Sequence, residues 1–260
     1  MRALFYSSVV SLAFVASLGL FHYTRSSTSD ESLNHGYTFV EVTEPVSAFA
    51  RDPLNTWKRP TGPPRVALQV GHWKNQELPD EFENLRRTGG GASGGGHAEW
   101  EVNLAIAELT ADLLRAEGVT VELLPATIPP DYWADALVSI HADGNLDSAV
   151  SGYKVAAPRR DQTGKAELLA DYIEDSYGQT VPLALDPNVS RNMRGYYAFN
   201  WRRYEHSMHP MTVGTIVETG FLTNPSDRQI IVSNPAQAAL GIAEGILAYL
   251  QSQDLLKKPA

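Results

Sequence analysis

Beyond Pro64 the chain alternates short apolar runs with stretches whose apolar residues recur at helical spacing. The apolar runs, each of strand length, cover residues 66–70, 119–124, 137–140, 152–156 and 213–217. The helical stretches cover residues 101–117, 165–177 and 236–251. This alternation is typical of a mostly parallel sheet flanked by helices. We therefore predict a single α/β domain with a twisted sheet over residues 65–252, followed by a tail over residues 253–260.

The chain begins with a segment typical of export. Arg2 precedes an apolar run over residues 3–21, which is longer than the roughly 7–15 residues of a usual signal-peptide core and close to the roughly 17–25 that span a bilayer. Residues 1–25 are interpreted as a signal or as an uncleaved anchor, since the small-x-small site at residues 15–17 would split the apolar run and is poor for cleavage. Residues 26–64 are polar and proline-rich, which predicts a linker or stalk.

Charge and cysteine content exclude several classes of function. With 30 acidic and 21 basic residues, the chain has a formal net charge of -9, which argues against a surface that binds nucleic acid. The sequence contains no cysteine, so disulfides, thiolate metal ligands and cysteine nucleophiles are excluded. Any metal ion must therefore be held by histidines and carboxylates.

Three ionisable residues follow predicted strands: His72 after residues 66–70, His141 after 137–140 and Glu218 after 213–217. Because the carboxyl ends of parallel strands meet at one edge of a sheet, these residues are expected to converge there. Glu99 precedes a helix, after a glycine-rich segment that could bring it to the same edge. Two imidazoles and one carboxylate form a familiar open zinc site, in which zinc activates a water molecule. A second carboxylate can then transfer protons, the role given to Glu218.

The third ligand has two competitors. Glu101 lies two residues beyond Glu99 on a predicted helix and therefore points to another face, so chemistry alone leaves the choice between them open. His97 in the preceding loop offers a further nitrogen ligand. His206 and His209 precede the last strand and are expected at its opposite end, which predicts that they are not ligands.

A polar and aromatic stretch precedes the last strand and is suited to hydrogen bonding a peptide. The predicted substrate-binding residues there are Asn192, Arg194, Asn200 and Tyr204. Aromatic side chains in the same stretch more often pack in a core or loop than form a platform for a sugar; they are Tyr196, Tyr197, Phe199 and Trp201.

Four segments resemble, in order, the zinc-dependent N-acetylmuramoyl-L-alanine amidases of bacterial cell walls: VALQVGH (66–72), EWEVNLAIA (99–107), VSIHAD (138–143) and IVETGFLTN (216–224). The resemblance implies one zinc ion per chain, held by His72, Glu99 and His141, with Glu218 as the essential catalytic carboxylate. It also implies hydrolysis of the amide between the lactyl group of N-acetylmuramic acid and the L-alanine of a peptidoglycan stem peptide. The register of the second segment selects Glu99 over Glu101.

Some residues depart from the family pattern. Trp73 and Lys74 follow the first histidine, where small residues are usual, and Asp143 stands where asparagine is common. Two other functions compete: a wall-binding or regulatory module without activity, and a zinc peptidase with another bond specificity. A glycine pattern over residues 89–94 matches a dinucleotide fingerprint, but it does not directly follow the first strand.

These interpretations place the protein in a bacterial envelope. The expected location is outside the cytoplasm, on the periplasmic or wall side, with the chain either secreted or held by residues 1–25. The expected partners are peptidoglycan and, through that segment, the membrane, with no nucleic acid. The protein is expected to be a monomer.

Overall fold

The structure is a computed structural model that describes residues 53–87 and 89–257. The predicted export segment, residues 26–52 of the predicted linker and residues 258–260 of the predicted tail lie outside the described residues. The strands are β1 (Arg65–Val70), β2 (Ser93–Gly94), β3 (His97–Ala98), β4 (Thr120–Leu124), β5 (Ala136–Asp143), β6 (Lys154–Ala156) and β7 (Val213–Phe221). The helices are α1 (Pro53–Thr56), α2 (Glu83–Arg87), α3 (Glu99–Ala116), α4 (Ala166–Thr180), α5 (Arg191–Arg194), α6 (Pro225–Ile231) and α7 (Pro235–Ser252). Short 3-10 turns cover Asn75–Glu77, Asp80–Phe82 and Tyr197–Phe199.

The main sheet confirms the predicted α/β class. Its strand order is β4-β1-β5-β7-β6, and all neighbours are parallel except β6, which runs antiparallel to β7 at the edge. In the centre of the sheet Leu68 lies beside Val138, and Ile140 lies beside Val217. β2 and β3 form a separate two-stranded ribbon within the glycine-rich segment.

One face of the sheet is covered by α3, α4 and α7, and α7 packs on both α3 and α4. In α3 the residues Val102, Ile106 and Leu114 recur at helical spacing and are all buried in this core. Each such side chain stabilises the fold by about 1.5–3 kcal/mol relative to an exposed one. The chain leaves α3 at Gly118, whose φ of 81° is a conformation that favours glycine.

The other face is covered by loops and short helices rather than by long helices. Its core joins alternate strand residues with loop residues: Ala67, Leu137 and Ile216 pack with Ile128, Phe199 and Met208. Because successive side chains of a strand point to opposite faces, Gln69, His141 and Glu218 share this loop-covered face. The polar side chains of these strands therefore point towards the loops that cover this face, where a substrate can reach them.

Two strands are longer than the sequence predicts. β5 continues to Asp143 and β7 to Phe221, so His141 and Glu218 lie within strands rather than after them. The physical reason is that the pairing of β5 with β7 continues through the neighbours His141 and Glu218, and the register shifts only between His141 and Asp143. The prediction that these residues follow their strands is therefore wrong, although they do lie near the carboxyl ends.

The fourth predicted strand is shorter than expected. The sequence predicts it over residues 152–156, whereas β6 begins at Lys154. Gly152 has a φ of 120°, and Tyr153 pairs instead with Leu185 in an isolated bridge. The left-handed backbone at the glycine turns the chain before regular pairing with β7 begins.

At the amino-terminal end of the sheet, Arg59 and Asp135 form an ion pair that is part of a hydrogen-bond network. Asp135 accepts hydrogen bonds from Arg59 Nε at 2.6 Å, from Arg59 Nη2 at 2.8 Å and from the backbone N–H of Arg65 at 2.8 Å. The Arg59 guanidinium also lies over the Trp133 ring, and Trp57 packs against that ring with centroids 5.6 Å apart. Residues 57 and 59, within the predicted linker, therefore contact the domain directly.

Across residues 53–87 and 89–257, no single helix is both long and apolar enough to cross a bilayer. Taken together, α6 and α7 meet the length and composition criterion, with a bend of 66° between them.

Candidate active site

His72, Glu99 and His141 converge at the carboxyl edge of the sheet, with one potential ligand atom from each within 4.8 Å of the others. His141 Nδ1 lies 3.0 Å from Glu99 Oε1, and His72 Nε2 lies 3.6 Å from Glu99 Oε2. Tetrahedral ligands bound to zinc at about 2.0–2.1 Å are separated by about 3.3 Å, which these two distances bracket. The three residues thus fit a zinc ion in the number, type and spacing of their donor atoms.

Glu99 is held in place by three neighbouring donors. Its carboxylate accepts hydrogen bonds from the N–H of Ala92 at 2.7 Å, from the N–H of Ala142 at 3.2 Å and from Asn103 Nδ2 at 3.3 Å. Only 4% of Glu99 is exposed, and it is the first residue of α3, where the helix dipole favours a negative charge. Burial opposes ionisation, but the hydrogen bond and charge of His141 hold the pKa of Glu99 below its usual value.

Two glycines leave space for these side chains. A Cβ atom on Gly71 would lie 2.4 Å from the His141 ring, and one on Gly91 would lie 2.2 Å from Glu99 Oε2. Gly91 also has a φ of 81°, which disfavours any side chain there. The glycine-rich segment therefore has a steric function: it lets the backbone pass close beside the ligand cluster.

The backbone of His72 lies in an uncommon region, with a φ of 62°. A residue with a side chain pays a free-energy cost in the left-handed region, and such strain concentrates at functional sites. The second ring nitrogen of His72, Nδ1, lies 3.3 Å from Asn75 Nδ2, and Asn75 Nδ2 donates to the carbonyl of Gly89 at 2.7 Å. Burial lowers the pKa of His72, which favours the neutral imidazole that a metal ion requires.

His141 has its own polar support behind the cluster. Its Nε2 lies 3.0 Å from the Tyr196 hydroxyl, which in turn lies 3.2 Å from Gln69 Oε1 and 3.2 Å from the Tyr197 hydroxyl. Tyr197 donates to the carbonyl of Ala126. A partner on the second ring nitrogen fixes the tautomer and orientation of a ligand histidine, so this chain of hydroxyl groups positions His141.

The pKa of His141 is shifted in the opposite direction to that of His72. Burial alone would lower it, but the hydrogen bond and charge of Glu99, with the charge of Glu218, raise the pKa of His141 above its usual value. A cation in this position is therefore favoured by the surrounding carboxylates.

Glu218 lies beside His141, because the two residues are direct neighbours in the pairing of β5 with β7. Burial is the largest cause that raises the pKa of Glu218, and with the opposing charges of His141 and Lys154 and the reinforcing charges of Glu99 and Asp143 the pKa reaches about 8. A carboxyl group whose pKa lies near neutral can both accept and release a proton, which suits acid and base catalysis.

The cluster lies between two connected lobes of an open groove. The glycine lobe, of about 520 Å³, is lined by Gly91, Ala92, Ser93, Gly144, Asn145 and Thr223. The aromatic lobe, of about 590 Å³, is lined by Phe82, Asn84, Asn192, Tyr196, Arg203 and Tyr204. His72, His141 and Glu218 line both lobes, so a substrate lying along the groove passes over them.

The predicted substrate-binding residues fall into two pairs. Asn192 and Tyr204 line the aromatic lobe. Arg194 and Asn200 instead line a separate cavity of about 50 Å³, and Arg194 pairs with Glu167 at 3.3 Å. The structure thus brings only the first pair to the groove.

The competing ligands lie outside the cluster. Glu101 is exposed and accepts a hydrogen bond from the N–H of Ala98 at 3.0 Å, and His97 is exposed on β3. His206 Nδ1 lies 2.7 Å from Glu81, and His209 Nδ1 accepts from a backbone N–H. None of these four side chains is within reach of the three converging donors.

Several supporting residues were missed from the sequence. Asn103 lies four residues after Glu99, and this helical spacing is a signal that could have identified it. Asn75 lies in an irregular turn, and Tyr196 and Gln69 come together from distant parts of the chain. No local pattern in the sequence indicates those contacts.

Two histidines and a carboxylate at the carboxyl edge of an open α/β sheet, beside a further, half-buried carboxylate, are typical of hydrolases that use a metal ion. Residues 66–248 match the family model described as N-acetylmuramoyl-L-alanine amidase, and the chain belongs to this family. The predicted activity is thereby confirmed: the protein hydrolyses the amide between N-acetylmuramic acid and L-alanine in peptidoglycan.

Solved structures of amidases share the fold. The N-acetylmuramoyl-L-alanine amidase of Nostoc punctiforme is 25% identical and covers 74% of this chain and 99% of its own, with a TM-score of 0.52. The catalytic domain of the amidase of Bacillus (Paenibacillus) polymyxa is 22% identical and covers 72% and 98%, with a TM-score of 0.52. The amidase of Mycobacterium smegmatis is 19% identical and covers 73% and 98%, with a TM-score of 0.52. A search of curated proteins finds no match.

Proposed function

We propose that this amidase uses one zinc ion per chain, held by His72, Glu99 and His141, with Glu218 as the catalytic carboxylate. The observation that carries the proposal is the convergence of three donors of the right type within 4.8 Å, next to a carboxyl group with a perturbed pKa. The two glycines that would clash with the ligands if they carried a Cβ atom support the same assignment.

A zinc ion in this position would lower the pKa of a bound water molecule to about 7 and polarise the carbonyl group of the lactyl amide. Glu218 lies where it lines both lobes of the groove. Its carboxylate takes a proton from the attacking water and passes that proton to the nitrogen of L-alanine, which leaves as a free amine. The glycan side keeps the lactyl carboxylate.

Residues of the aromatic lobe are proposed to bind the substrate. Asn192 and Tyr204 supply hydrogen-bonding groups within it and are proposed to contact the stem peptide. Arg194 and Asn200 remain predicted substrate contacts, but they line a separate cavity rather than the groove, so we expect smaller effects from their replacement.

The proposed setting follows from the substrate. Peptidoglycan lies outside the cytoplasmic membrane, so the enzyme is proposed to act on the periplasmic or wall side, as a monomer. Residues 1–25 are proposed as the export or anchoring segment and residues 26–64 as the stalk, whose last part packs on the domain through Trp57 and Arg59. The catalytic domain is proposed to span residues 65–252.

Digestion of purified peptidoglycan tests the mechanism. Wild-type enzyme is expected to release stem peptides and to leave a free lactyl carboxylate on the glycan, which mass spectrometry detects. A chelator is expected to abolish release, and added zinc to restore it. Glu218→Ala is expected to lower the rate by about 10²- to 10⁴-fold, the usual contribution of a general acid or base.

Metal content provides the control for that variant. Glu218→Ala is expected to retain one zinc ion per chain, measured by elemental analysis, because Glu218 is not assigned as a ligand. Full activity in this variant would exclude Glu218 as the proton-transfer group. Activity that resists chelation would exclude the zinc mechanism.

A further inference from the structure

The two lobes of the groove differ in the charges that line them. Arg203 lines the aromatic lobe and is the one lysine or arginine lining either lobe within residues 53–87 and 89–257. The glycine lobe is lined by Glu99 and by Asp143, which pairs with Lys154 Nζ behind the lining. An anionic group of a substrate therefore finds an attractive partner in only one lobe.

Two acidic residues line the aromatic lobe, Glu81 and Glu218, and the oxygens of Glu81 already have hydrogen-bond donors. Glu81 accepts hydrogen bonds from the N–H of Glu205 at 3.1 Å and of His206 at 2.9 Å, and it pairs with His206 Nδ1 at 2.7 Å. These contacts outweigh the effect of burial and hold the pKa of Glu81 below its usual value, so the carboxylate stays ionised while both of its oxygens already accept hydrogen bonds. Arg203 is therefore the positively charged partner that this lobe offers to an anionic group.

The Arg203 side chain is exposed, and its guanidinium carbon lies 5.0 Å from the centre of the Tyr204 ring. Tyr204 packs in turn on Phe82, with ring centroids 4.9 Å apart. Within the described residues no carboxylate lies within ion-pair distance of Arg203, so its charge is available to a ligand. The stacked ring limits the positions that the guanidinium occupies.

The substrate also differs in charge on the two sides of the scissile amide. On the acyl side of the scissile amide lies the glycan, whose sugars are uncharged N-acetyl derivatives. On the amine side lies a peptide that begins with L-alanine and carries carboxylates on later residues and at its end. A guanidinium is well suited to bind a carboxylate, because its paired N–H groups match the two oxygens.

We infer that the stem peptide lies in the aromatic lobe, where Arg203 binds one of its carboxylates, and that the glycan lies in the glycine lobe. This inference rests on the proposed function, since it uses Glu218 as the point where the scissile amide crosses from one lobe to the other. The volume of the aromatic lobe, about 590 Å³, lies within the usual range for a site that binds a small ligand.

Paired substrates test this orientation. One is an N-acetylmuramoyl tripeptide with all peptide carboxyl groups free, and the other is the same compound with those groups amidated. R203Q is expected to raise the KM for the free-acid substrate by about three- to fivefold, the effect of an exposed ion pair, and to leave the KM for the amidated substrate unchanged. R203E is expected to favour the amidated substrate.

The matched control is R202Q. Arg202 is the preceding residue, its guanidinium lies over Trp201 at 4.8 Å, and it lines neither lobe. R202Q is expected to leave both KM values unchanged. Added salt should raise the KM of wild-type enzyme for the free-acid substrate and should have no such effect on R203Q, because salt screens an exposed charge pair.

The outcomes separate this inference from the proposed function. Equal changes of KM on both substrates in R203Q, or the same change in R202Q, would overturn the orientation while leaving the zinc mechanism intact. Failure of wild-type enzyme to cleave either substrate after zinc loading would instead contradict the proposed function. Equal thermal unfolding temperatures and zinc contents in all variants would show that the comparison concerns binding rather than folding.

Discussion

The two ends of the parallel sheet carry buried charges arranged in opposite ways. At the amino end, Asp135 is satisfied by the two donors of Arg59 and by the N–H of Arg65. At the carboxyl end, Glu99 is surrounded by two imidazoles and by neutral donors, and no lysine or arginine of the described residues lies within ion-pair distance of it. At the amino end the carboxylate has all its partners within the protein. At the carboxyl end the histidine nitrogens and the Glu99 oxygens that could bind a metal ion face a groove.

This difference indicates what each end contributes. A buried ion pair that is fully hydrogen-bonded is costly to break, because removal of one partner leaves the other unpaired. A cluster of buried titratable groups beside a cavity, with pKa values shifted by one another, is typical of a functional site. Substitutions at the amino end should therefore affect folding, and substitutions at the carboxyl end should affect metal binding and catalysis.

The largest expected effect is that of Glu99→Ala. Loss of one of three protein ligands is expected to weaken zinc binding by more than about 10³-fold, because each donor holds the ion directly. Activity should fall below detection at stoichiometric zinc. Zinc affinity is measured by competition with a chelator of known affinity, and thermal unfolding with and without zinc gives a second readout, since only a protein that binds zinc is stabilised by it.

Glu101→Ala is the matched control for this substitution. Glu101 lies in the same first turn of α3, but its carboxylate is exposed and accepts from Ala98 N–H. Zinc binding and activity should be retained, with at most a small loss of helix stability. Zinc retention by Glu99→Ala together with zinc loss from Glu101→Ala would reverse the assignment of the third ligand.

Asp135→Ala should have the second largest effect, and on stability alone. The substitution leaves the Arg59 guanidinium and the Arg65 N–H without their acceptor, so we expect the free energy of unfolding to fall by about 2 kcal/mol. This value is below that of a fully buried pair because the Arg59 side chain is 28% exposed. Chemical denaturation measures the change, and zinc affinity should equal that of wild type.

An exposed ion pair provides the control for Asp135→Ala. Asp112 pairs with Arg115 at 3.3 Å on the surface of α3, and Asp112→Ala should give no measurable change in stability. A zinc affinity that fell with Asp135→Ala as strongly as stability did would show that the two ends of the sheet are not independent.

The sequence predicted the elements that have strong local patterns. The apolar runs of β1, β4, β5 and β7 and the periodicity of α3, α4 and α7 identify the sheet and the helices of one face, because burial of those side chains determines both the pattern and the structure. α6 was missed, although Asn224 followed by Pro225 is a recognisable helix start.

The sequence could not predict contacts made by the loop-covered face. Tyr196 was interpreted as packing in a core or loop, whereas its hydroxyl bridges Gln69 and His141 across long separations in the chain. Residues 57 and 59 were assigned to the linker, yet Trp57 contacts Trp133 and Arg59 contacts Asp135 at the amino end of the sheet. Both sets of contacts depend on how irregular segments of the chain pack on the sheet, and the sequence of such segments has no periodic pattern that predicts it. The roles of His72, Glu99, His141 and Glu218 remain predictions for the experiments above.

Tyr196→Phe should give the smallest of the three effects and bears on the comparison of the two ends. Removal of the hydroxyl leaves His141 Nε2 without the partner that orients the ring, and loss of such a partner typically weakens metal binding by about tenfold or more. We expect a roughly tenfold lower zinc affinity by chelator competition. Tyr204→Phe is the matched control, because Tyr204 lines the same lobe without contacting a histidine of the cluster. If Tyr196→Phe instead lowered the unfolding temperature in the absence of zinc and left zinc affinity unchanged, its hydroxyl would belong with Asp135 among the groups that stabilise the fold. In that case, whether a polar group stabilises the fold or binds zinc would depend on whether all its hydrogen-bond partners are protein groups. It would not depend on the edge of the sheet at which the group lies.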